Sequence, residues 1–197
     1  MAEWLDIRDG GRLLYEPNFC SPGQANALFA WLRSEVVWRQ ELVYGKPLPR
    51  LNAWFADAGL RYRYAGRARL GSGWPLELTL LKRAVENASG MEFNSLLLNL
   101  YRDGQDFIGP HSDALPELGE NPVVAAVSFG SQRDFVLEHC RTRESLTYRL
   151  RHGSLLVMGG TSQHHWLHGV PGTEESVGER ISLTFRLLRG SAENLGG

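Results

Sequence analysis

The alternation of apolar and polar positions predicts short strands throughout the second half of the chain. After Gly90, apolar residues fall at every second position or in short runs, and turn-forming residues separate these segments. The predicted strands are 12–16 near the N-terminus and then 95–102, 123–129, 134–139, 146–151, 154–158, 164–167 and 181–188. Because no helical segment lies between the later strands, we expect an antiparallel barrel or a double-sheet jelly roll.

The first half of the chain has a different pattern of apolar and polar positions. Apolar residues with a helical period predict one helix at about 22–34, with Ser21 as its N-cap, and a second helix at about 75–88, with Gly90 as its C-cap. Between the helices, residues 36–55 are predicted to form a hairpin with a tip rich in glycine and proline. The expected fold is therefore mainly β, with two N-terminal helices that buttress one sheet.

Composition describes one ordinary globular domain. The chain has 197 residues, of which 43% are hydrophobic and 22% charged, and its formal net charge is −1. A polyanionic partner would therefore have to be held by local basic patches, which occur at 61–69 and 141–151. Two cysteines without C-x-x-C spacing favour a reducing compartment. With no signal-peptide pattern and no apolar run of membrane-spanning length, we expect a cytoplasmic protein that does not enter a membrane.

The first candidate for chemistry is a histidine and a carboxylate two residues apart. His111 and Asp113 follow the apolar run 95–100. On an extended backbone, residues i and i+2 point to the same side, so both can reach one cation. With a third ligand, this set suits non-haem Fe(II). The candidates for that ligand are His139, His152, His164, His165 and His168.

A second candidate lies near the C-terminus. Arg180 and Arg186 are six residues apart, so in a strand they share one face with Ser182 and Thr184. Two buried cations require anions, and a dicarboxylate would satisfy both because guanidinium groups bind carboxylates bidentately. A surface strand whose polar face points to solvent would show the same spacing.

Five groups of residues together resemble one family. They are Pro49-Arg-Leu-Asn-Ala-Trp-Phe with Tyr62-Arg-Tyr64-Ala-Gly66, Asn94-x4-Asn99-x-Tyr101, His111-Ser-Asp113, Trp166-Leu-His168-Gly-Val-Pro171 and Arg180-x5-Arg186. In order and spacing they resemble the AlkB family of Fe(II)/2-oxoglutarate dioxygenases, in the branch that repairs alkylated nucleic acids. The resemblance covers roughly residues 44–188, and it implies a double-stranded β-helix (jelly-roll) core.

The resemblance also implies roles for particular residues. His111, Asp113 and His168 would bind Fe(II). Asn99 and Tyr101 match co-substrate positions, as do Arg180 and Arg186, with Arg180 expected at the distal carboxylate of 2-oxoglutarate and Arg186 at the one nearer the metal. Ser182 and Thr184 share that strand face and are expected in the same pocket. Dioxygen would be the second co-substrate, and an N-methyl group would leave as formaldehyde.

The same resemblance places a substrate-recognition region at about 36–70 of a single domain, 1–197. A base that leaves its stack is commonly held by aromatic side chains. Tyr62 and Tyr64 match such positions, and Tyr44 matches a residue that inserts into the duplex in some relatives. Arg133 is expected to cover the site or touch phosphate.

We therefore expect a monomeric demethylase of alkylated DNA or RNA. Ala114 stands where many relatives carry an acidic residue, which leaves base preference open. The alternatives are the same oxygenase chemistry on a protein, lipid or small molecule, and a binding module on a degenerate barrel. The complete ligand set argues against the binding module.

Overall fold

The structure of the protein is a computed structural model that describes residues 3–43, 45–64 and 67–189, and for residues 63, 64 and 67 it describes the backbone alone. The helices are α1 (Pro22–Glu35), α2 (Leu76–Ser89) and the single turn α3 (Ser162–His165). The first strands are β1 (Trp4–Ile7), β2 (Gly11–Glu16), β3 (Leu42–Val43), β4 (Lys46–Pro47), β5 (Leu51–Ala56), β6 (Arg61–Tyr64) and β7 (Arg67–Leu70). The later strands are β8 (Ser95–Tyr101), β9 (Ile108–His111), β10 (Val124–Gly130), β11 (Arg133–His139), β12 (Ser145–Leu150), β13 (Ser154–Gly160), β14 (Trp166–Val170) and β15 (Arg180–Arg186).

Two antiparallel sheets form the core of the fold. The larger sheet has seven strands in the order β1-β2-β13-β10-β15-β8-β5, and the smaller has four in the order β12-β11-β14-β9. Two short hairpins, β3-β4 and β6-β7, lie outside both sheets. From β8 onward the chain passes back and forth between the larger and the smaller sheet, as in a jelly roll. The predicted mainly-β fold class is therefore confirmed.

The two long helices cover one face of the larger sheet. In β8, Leu96, Leu98 and Leu100 belong to a buried cluster that also contains Leu32 of α1 and Leu81 of α2. Ser21 caps α1 through a capping box with Gln24, and α2 ends at Gly90, which adopts a left-handed conformation with φ 70°. The helices predicted at 22–34 and 75–88 are thus confirmed, as is their position against one sheet.

The opposite face of the larger sheet looks toward the smaller sheet. Because side chains alternate along a strand, the odd-numbered β15 residues Ile181, Leu183 and Phe185 join the helix-side cluster, and the even-numbered residues face the other way. On that second side, Tyr101 of β8 packs in one cluster with Phe135 of β11. The polar face of β15 therefore points into the interior of the jelly roll.

Local details differ from the sequence-based expectation. Residues 36–41 form no strand, and a single bridge between Arg39 and Asn52 joins this segment to β5. The strand predicted at 164–167 begins only at Trp166, since residues 162–165 form α3. The edge strand β1 was not predicted. Within the described residues, no helix is long and apolar enough to cross a membrane.

Candidate metal and co-substrate site

Two neighbouring strands of the smaller sheet bring two histidines and an aspartate together. His168 of β14 lies directly opposite His111, the last residue of β9, and their ring centroids are 4.4 Å apart. Asp113 follows β9 by two residues. The ligand atoms of the three side chains all lie within 4.8 Å of one another. Two imidazoles and one carboxylate on one side form the facial set of a non-haem Fe(II) site.

Nearby groups hold the two imidazole rings and the backbone of Asp113 in place. The Nδ1 atom of His111 lies 2.9 Å from the carbonyl oxygen of Gly109, so Nδ1–H donates to that carbonyl and Nε2 stays available to a metal ion. The backbone N–H of Asp113 donates to Gln163 Oε1 over 2.8 Å. The ring of His168 stacks on Phe135 with centroids 5.5 Å apart.

The electrostatics of the cluster keep each ligand in its metal-binding protonation state. Burial lowers the pKa of His111, and burial together with the neighbouring His111 lowers the pKa of His168 to about 3. Burial alone would raise the pKa of Asp113, but Arg186, His168 and His111 outweigh it and the pKa is lowered. Both imidazoles are therefore neutral and the carboxylate is ionised at neutral pH.

Arg186 contacts the cluster directly. Its Nε and Nη2 atoms both donate to Asp113 Oδ2, over 3.1 and 2.8 Å. This ion pair is almost completely buried, so it fixes the carboxylate strongly. The orientation of the aspartate at the candidate metal site is thus set from β15 in the other sheet.

Arg180, at the opposite end of β15, is a buried cation without an acidic partner in the described structure. It is 1% exposed, its Nη2 donates to Ser128 Oγ over 2.9 Å, and its guanidinium lies 5.0 Å from the ring centroid of Tyr101. Its Nε and Nη1 atoms are buried without a hydrogen-bond partner. Because an unpaired buried charge is costly, this position fits the carboxylate of a ligand.

The metal cluster and the arginines line one cavity of about 410 Å³ between the two sheets. The cavity is large enough for a small dicarboxylate together with part of a larger substrate. It contains ten of the residues singled out from the sequence: Tyr62, Asn99, Tyr101, His111, Asp113, His168, Arg180, Ser182, Thr184 and Arg186.

One predicted substrate residue, Arg133, does not line the cavity. Arg133 is 3% exposed and donates to the carbonyl oxygens of Asp103, Asp106 and Pro171, so it ties loops together rather than covering the site or touching phosphate. That expectation for Arg133 is corrected. Tyr44 and the side chain of Tyr64 lie outside the described residues.

The cavity also contains residues that the sequence did not single out. Trp54 of β5 stacks on Tyr62 with ring centroids 6.5 Å apart and an angle of 26° between the planes. Arg50 is 9% exposed and donates to Asn99 Oδ1 over 2.9 Å. Both lie in the quoted segment that begins at Pro49, but only the folded structure brings them to the cavity wall.

Of the two basic patches, the second is largely neutralised. Arg141, Arg143 and Arg149 form ion pairs with Asp9, Glu138 and Glu175, respectively. In the first patch, Arg69 is paired with Glu41 and lies over the ring of Trp54, whereas Arg61 is exposed. The basic surface that accompanies the cavity is therefore the one near β6 and β7.

Comparison with known proteins identifies the class. Residues 12–186 match the model of the 2OG-Fe(II) oxygenase superfamily, and the chain belongs to that superfamily. Its cofactor is Fe(II) and its co-substrate is 2-oxoglutarate, which the cavity described above fits.

Within the superfamily, the similarity to curated proteins assigns the chain to the AlkB family. It is 33% identical to the mouse (Mus musculus) DNA oxidative demethylase ALKBH2 over 201 residues, which cover 94% of this chain and 84% of that protein. The human (Homo sapiens) ALKBH2 is 34% identical, with 94% and 77% covered. The bovine (Bos taurus) alpha-ketoglutarate-dependent dioxygenase alkB homolog 3 is 37% identical, with 87% and 64% covered.

Solved structures agree on the fold. The structure of OsALKBH1 matches with a TM-score of 0.69 and 15% identity, covering 94% of this chain and all of that one. A 2OG-Fe(II) oxygenase family oxidoreductase from Burkholderia pseudomallei matches with a TM-score of 0.60 and 18% identity, covering 93% and 87%. The solved structures thus support the jelly-roll fold, and the family match over residues 12–186 together with the AlkB relatives makes the chain an Fe(II)/2-oxoglutarate-dependent dioxygenase.

Proposed function

We propose that this dioxygenase removes methyl groups from the nitrogen atoms of alkylated bases in DNA or RNA. The observation that carries the proposal is one cavity in which a His-Asp-His cluster, a buried arginine with no acidic partner among the described residues and a stacked aromatic pair meet. Relatives named as DNA oxidative demethylases support the choice of substrate, since the similarity extends over nearly the whole chain.

His111, Asp113 and His168 would hold the metal. Their neutral imidazoles and ionised carboxylate need no proton exchange to bind a divalent cation, because burial lowers the pKa of each histidine and Arg186 lowers the pKa of Asp113. Gly109 orients His111, Gln163 and Arg186 hold Asp113, and Phe135 stacks on the ring of His168. With Fe(II), 2-oxoglutarate and dioxygen bound, the site supplies oxidation of a C–H bond, coupled to the release of succinate and CO2.

Arg180 and Tyr101 would bind the distal carboxylate of 2-oxoglutarate. Arg180 offers two buried donors without a partner in the described residues, and the adjoining Tyr101 is 2% exposed. Asn99, Ser182 and Thr184 add polar groups along the same wall. Because Arg180 and Tyr101 are buried, water does not compete with the ligand at this end of the cavity.

The aromatic pair would receive the base. Trp54 and Tyr62 give a flat apolar wall, and stacking on such a ring contributes about 1–3 kcal/mol per base. Oxidation of the N-methyl group gives an N-hydroxymethyl group, which breaks down to formaldehyde and the restored base. Arg61, together with the sequence-based candidates Tyr44 and Tyr64, extends this proposed recognition region over residues 36–70.

We further propose that the chain is a single oxygenase domain, 1–197, that works as a monomer in the cytoplasm. The oxygenase match over residues 12–186 supports one domain. The free thiols of Cys20 and Cys140 suit a reducing compartment.

The test is turnover on a panel of methylated oligonucleotides, with formaldehyde and succinate measured together. The wild-type protein should release one formaldehyde per succinate on a methylated strand and none on the matched unmethylated strand. Tyr62→Ala should retain 2-oxoglutarate binding but lose most oligonucleotide turnover. Succinate formation that is never coupled to formaldehyde on any methylated strand would instead favour a protein or small-molecule substrate.

A further inference from the structure

The two hairpins that lie outside both sheets are joined by an ion pair. Glu41 comes directly before β3, and the backbone N–H of Leu48 donates to the carbonyl oxygen of Glu41 over 2.9 Å, so Glu41 continues the ladder of β3 and β4. Its carboxylate pairs with Arg69 of β7, and the side chains of Glu41 and Arg69 are only 21% and 15% exposed, respectively. A partly buried salt bridge therefore holds the β3–β4 hairpin to the β6–β7 hairpin.

Arg69 also contacts the aromatic wall of the cavity. In the β6–β7 hairpin Arg69 lies directly opposite Tyr62, so the two side chains are neighbours on one face of the hairpin. Both contact Trp54 of β5: the ring of Tyr62 stacks on it, and the guanidinium carbon of Arg69 lies 5.8 Å from its ring centroid. A cation over a tryptophan is attracted to the negative face of the ring. Through Arg69, Glu41 thus acts on the two rings that are proposed to receive the base.

The two ends of the β6–β7 hairpin are fixed independently of this ion pair. The backbone N–H of Gly71 donates to the carbonyl oxygen of Leu60 over 2.8 Å, and that of Gly73 donates to the carbonyl oxygen of Ala56 over 3.0 Å. These bonds hold the hairpin to the end of β5, where Ala56 lies. Loss of the ion pair should therefore loosen the inner face of the hairpin without unfolding the domain.

The charge of Glu41 opposes the attraction of a nucleic acid. Glu41 is paired into the basic patch at 61–69, where the phosphates of the proposed substrate would lie, and its negative charge repels them. It also neutralises Arg69, which then contributes little to a positive field. The two residues are therefore better suited to holding the aromatic wall than to binding phosphate.

We propose that Glu41 and Arg69 are positioning residues that hold the Trp54–Tyr62 wall ready for the base. This inference rests on the proposed function, in which that wall receives a base. A wall that is already ordered loses less conformational entropy when the base binds, so binding is tighter. The sequence-based candidate Tyr44 follows β3 directly in the chain, and the ion pair therefore also links the segment that leads to Tyr44 with the wall.

Steady-state kinetics of the full chain on a methylated oligonucleotide separate holding from attraction. Glu41→Gln removes the charge of the carboxylate and keeps its size. If Glu41 holds the wall, the KM for the oligonucleotide should rise about threefold to tenfold while kcat changes less than about twofold, because contacting residues are coupled by such amounts and the metal site is untouched. If Glu41 acts only as a negative charge, the KM should fall, since repulsion of phosphates is removed. Succinate formation without oligonucleotide should stay at the wild-type rate in Glu41→Gln.

Further variants complete the comparison. Arg69→Gln should raise the KM at least as much as Glu41→Gln, and the double variant should not raise it beyond Arg69→Gln, because the same ion pair is lost in each. Arg69→Lys keeps a cation for Glu41 and Trp54, so its KM should stay close to that of the wild-type protein. Glu138→Gln is the matched control, because Glu138 pairs with Arg143, has a side chain that is 32% exposed and does not line the cavity. Its KM should not rise.

Hydrogen exchange on the substrate-free protein tests the link without any turnover. Glu41→Gln and Arg69→Gln should both speed the exchange of amides in the β6–β7 hairpin, because local opening becomes less costly. Exchange in β8 and β15 should match that of the wild-type protein. Glu138→Gln should leave exchange in the hairpin unchanged.

The inference is overturned if Glu41→Gln lowers the KM or leaves it unchanged, since Glu41 would then hold nothing that the base needs. It is also overturned if the two Gln variants leave exchange in the hairpin at the wild-type rate, or if their effects on the KM simply add. Failure of the proposed function gives a different result: the wild-type protein would release no formaldehyde from any methylated strand, while the exchange measurement would still show whether the ion pair holds the hairpin.

Discussion

Among the described residues, two histidines and one aspartate come together at two places, and the two clusters differ in what surrounds them. His111, Asp113 and His168 lie inside the jelly roll, and Asp9, His139 and His165 lie near its surface, with the ligand atoms of each cluster within 4.8 Å of one another. The lists of side chains are identical. A count of metal-binding residue types would therefore rank the two clusters as equals.

The hydrogen bonds of the histidines separate the clusters. His111 uses Nδ1–H to donate to a carbonyl oxygen, so its Nε2 has a free lone pair. In His139, Nδ1 accepts from the backbone N–H of Thr142 over 3.1 Å, and Nε2 lies 3.0 Å from Asp9 Oδ2. The hydrogen of this imidazole is therefore on Nε2, where it donates to Asp9, and a metal ion at Nε2 would have to displace it.

The arginine beside each carboxylate differs as well. The side chain of Arg186 is 16% exposed and its pair with Asp113 is buried, whereas the side chain of Arg141 is 77% exposed where it meets Asp9. Buried ion pairs hold a carboxylate in one orientation, and exposed ones contribute little. We conclude that the inner cluster is built to hold an ion and that the outer one is a hydrogen-bond network that ties the turn at residues 8–10 to β11.

The largest expected effect is at the inner aspartate. Asp113→Ala removes the one carboxylate ligand and should reduce coupled 2-oxoglutarate decarboxylation and formaldehyde release at least about a hundredfold. Asp9→Ala should retain both activities. Bound metal, measured by mass spectrometry, should fall from one ion per chain to none in Asp113→Ala only. Equal losses in the two variants would remove the distinction between the clusters.

The next effect compares the two arginines. Arg186→Met leaves Asp113 without its guanidinium partner and should weaken metal binding by roughly tenfold to a hundredfold, because ligand orientation is lost. Arg141→Met should change metal affinity less than about twofold, since an exposed pair contributes little. Titration of the metal-free proteins with Mn(II), followed by its electron paramagnetic resonance signal, measures both affinities. An unchanged affinity in Arg186→Met would show that Asp113 is held by Gln163 and the backbone alone.

A third effect concerns pH in the metal-free protein. The folded-state pKa of His168 is about 3, below its usual value near 6.5, so the unfolded chain binds more protons once the pH falls below about 6.5. Stability should therefore decrease from pH 7 to pH 5, by about 2 kcal/mol for this residue. His111 and His152, whose pKa values are also lowered by burial, act in the same direction. Urea unfolding with a chelator present measures the slope, and His168→Gln should flatten it.

The sequence revealed two members of the inner cluster because their information is local, whereas His168 was implied by the family resemblance. His111 and Asp113 are two residues apart, and the polar face of β15 appears as an even spacing of Arg180, Ser182, Thr184 and Arg186. The period-2 pattern also predicted most strands of both sheets, but it missed β1 and β9. The spacing alone left open whether the polar face of β15 points to solvent or to the interior. In the structure it points to the interior, because the two sheets enclose it.

What the sequence did not reveal depends on contacts between distant segments. Arg133 was expected to cover the site or touch phosphate, yet its partners are the carbonyl oxygens of residues 103, 104, 106 and 171, which only the fold gathers around it. Arg50 carries no signal of its own, because its acceptors are 49 and 57 residues away. The short helix α3 replaced part of a predicted strand for a similar reason: the backbone N–H of Thr161, just before α3, donates to the carbonyl oxygen of the distant Gly10.

The smallest expected effect tests the outer cluster itself. Asp9→Asn keeps an acceptor for His139 but removes the charge that faces Arg141, so the melting temperature should fall by no more than about 4 °C. If the outer cluster is only a hydrogen-bond network, Zn²⁺ should not raise the melting temperature of the Asp113→Ala protein, in which the inner site is disabled. An ion that bound the folded state there would raise it in proportion to the logarithm of its concentration. If the melting temperature rose in this way, and the rise disappeared when Asp9→Asn was added, the outer histidines would be able to exchange a proton for a metal ion. The tautomer of His139 would then no longer distinguish the two clusters.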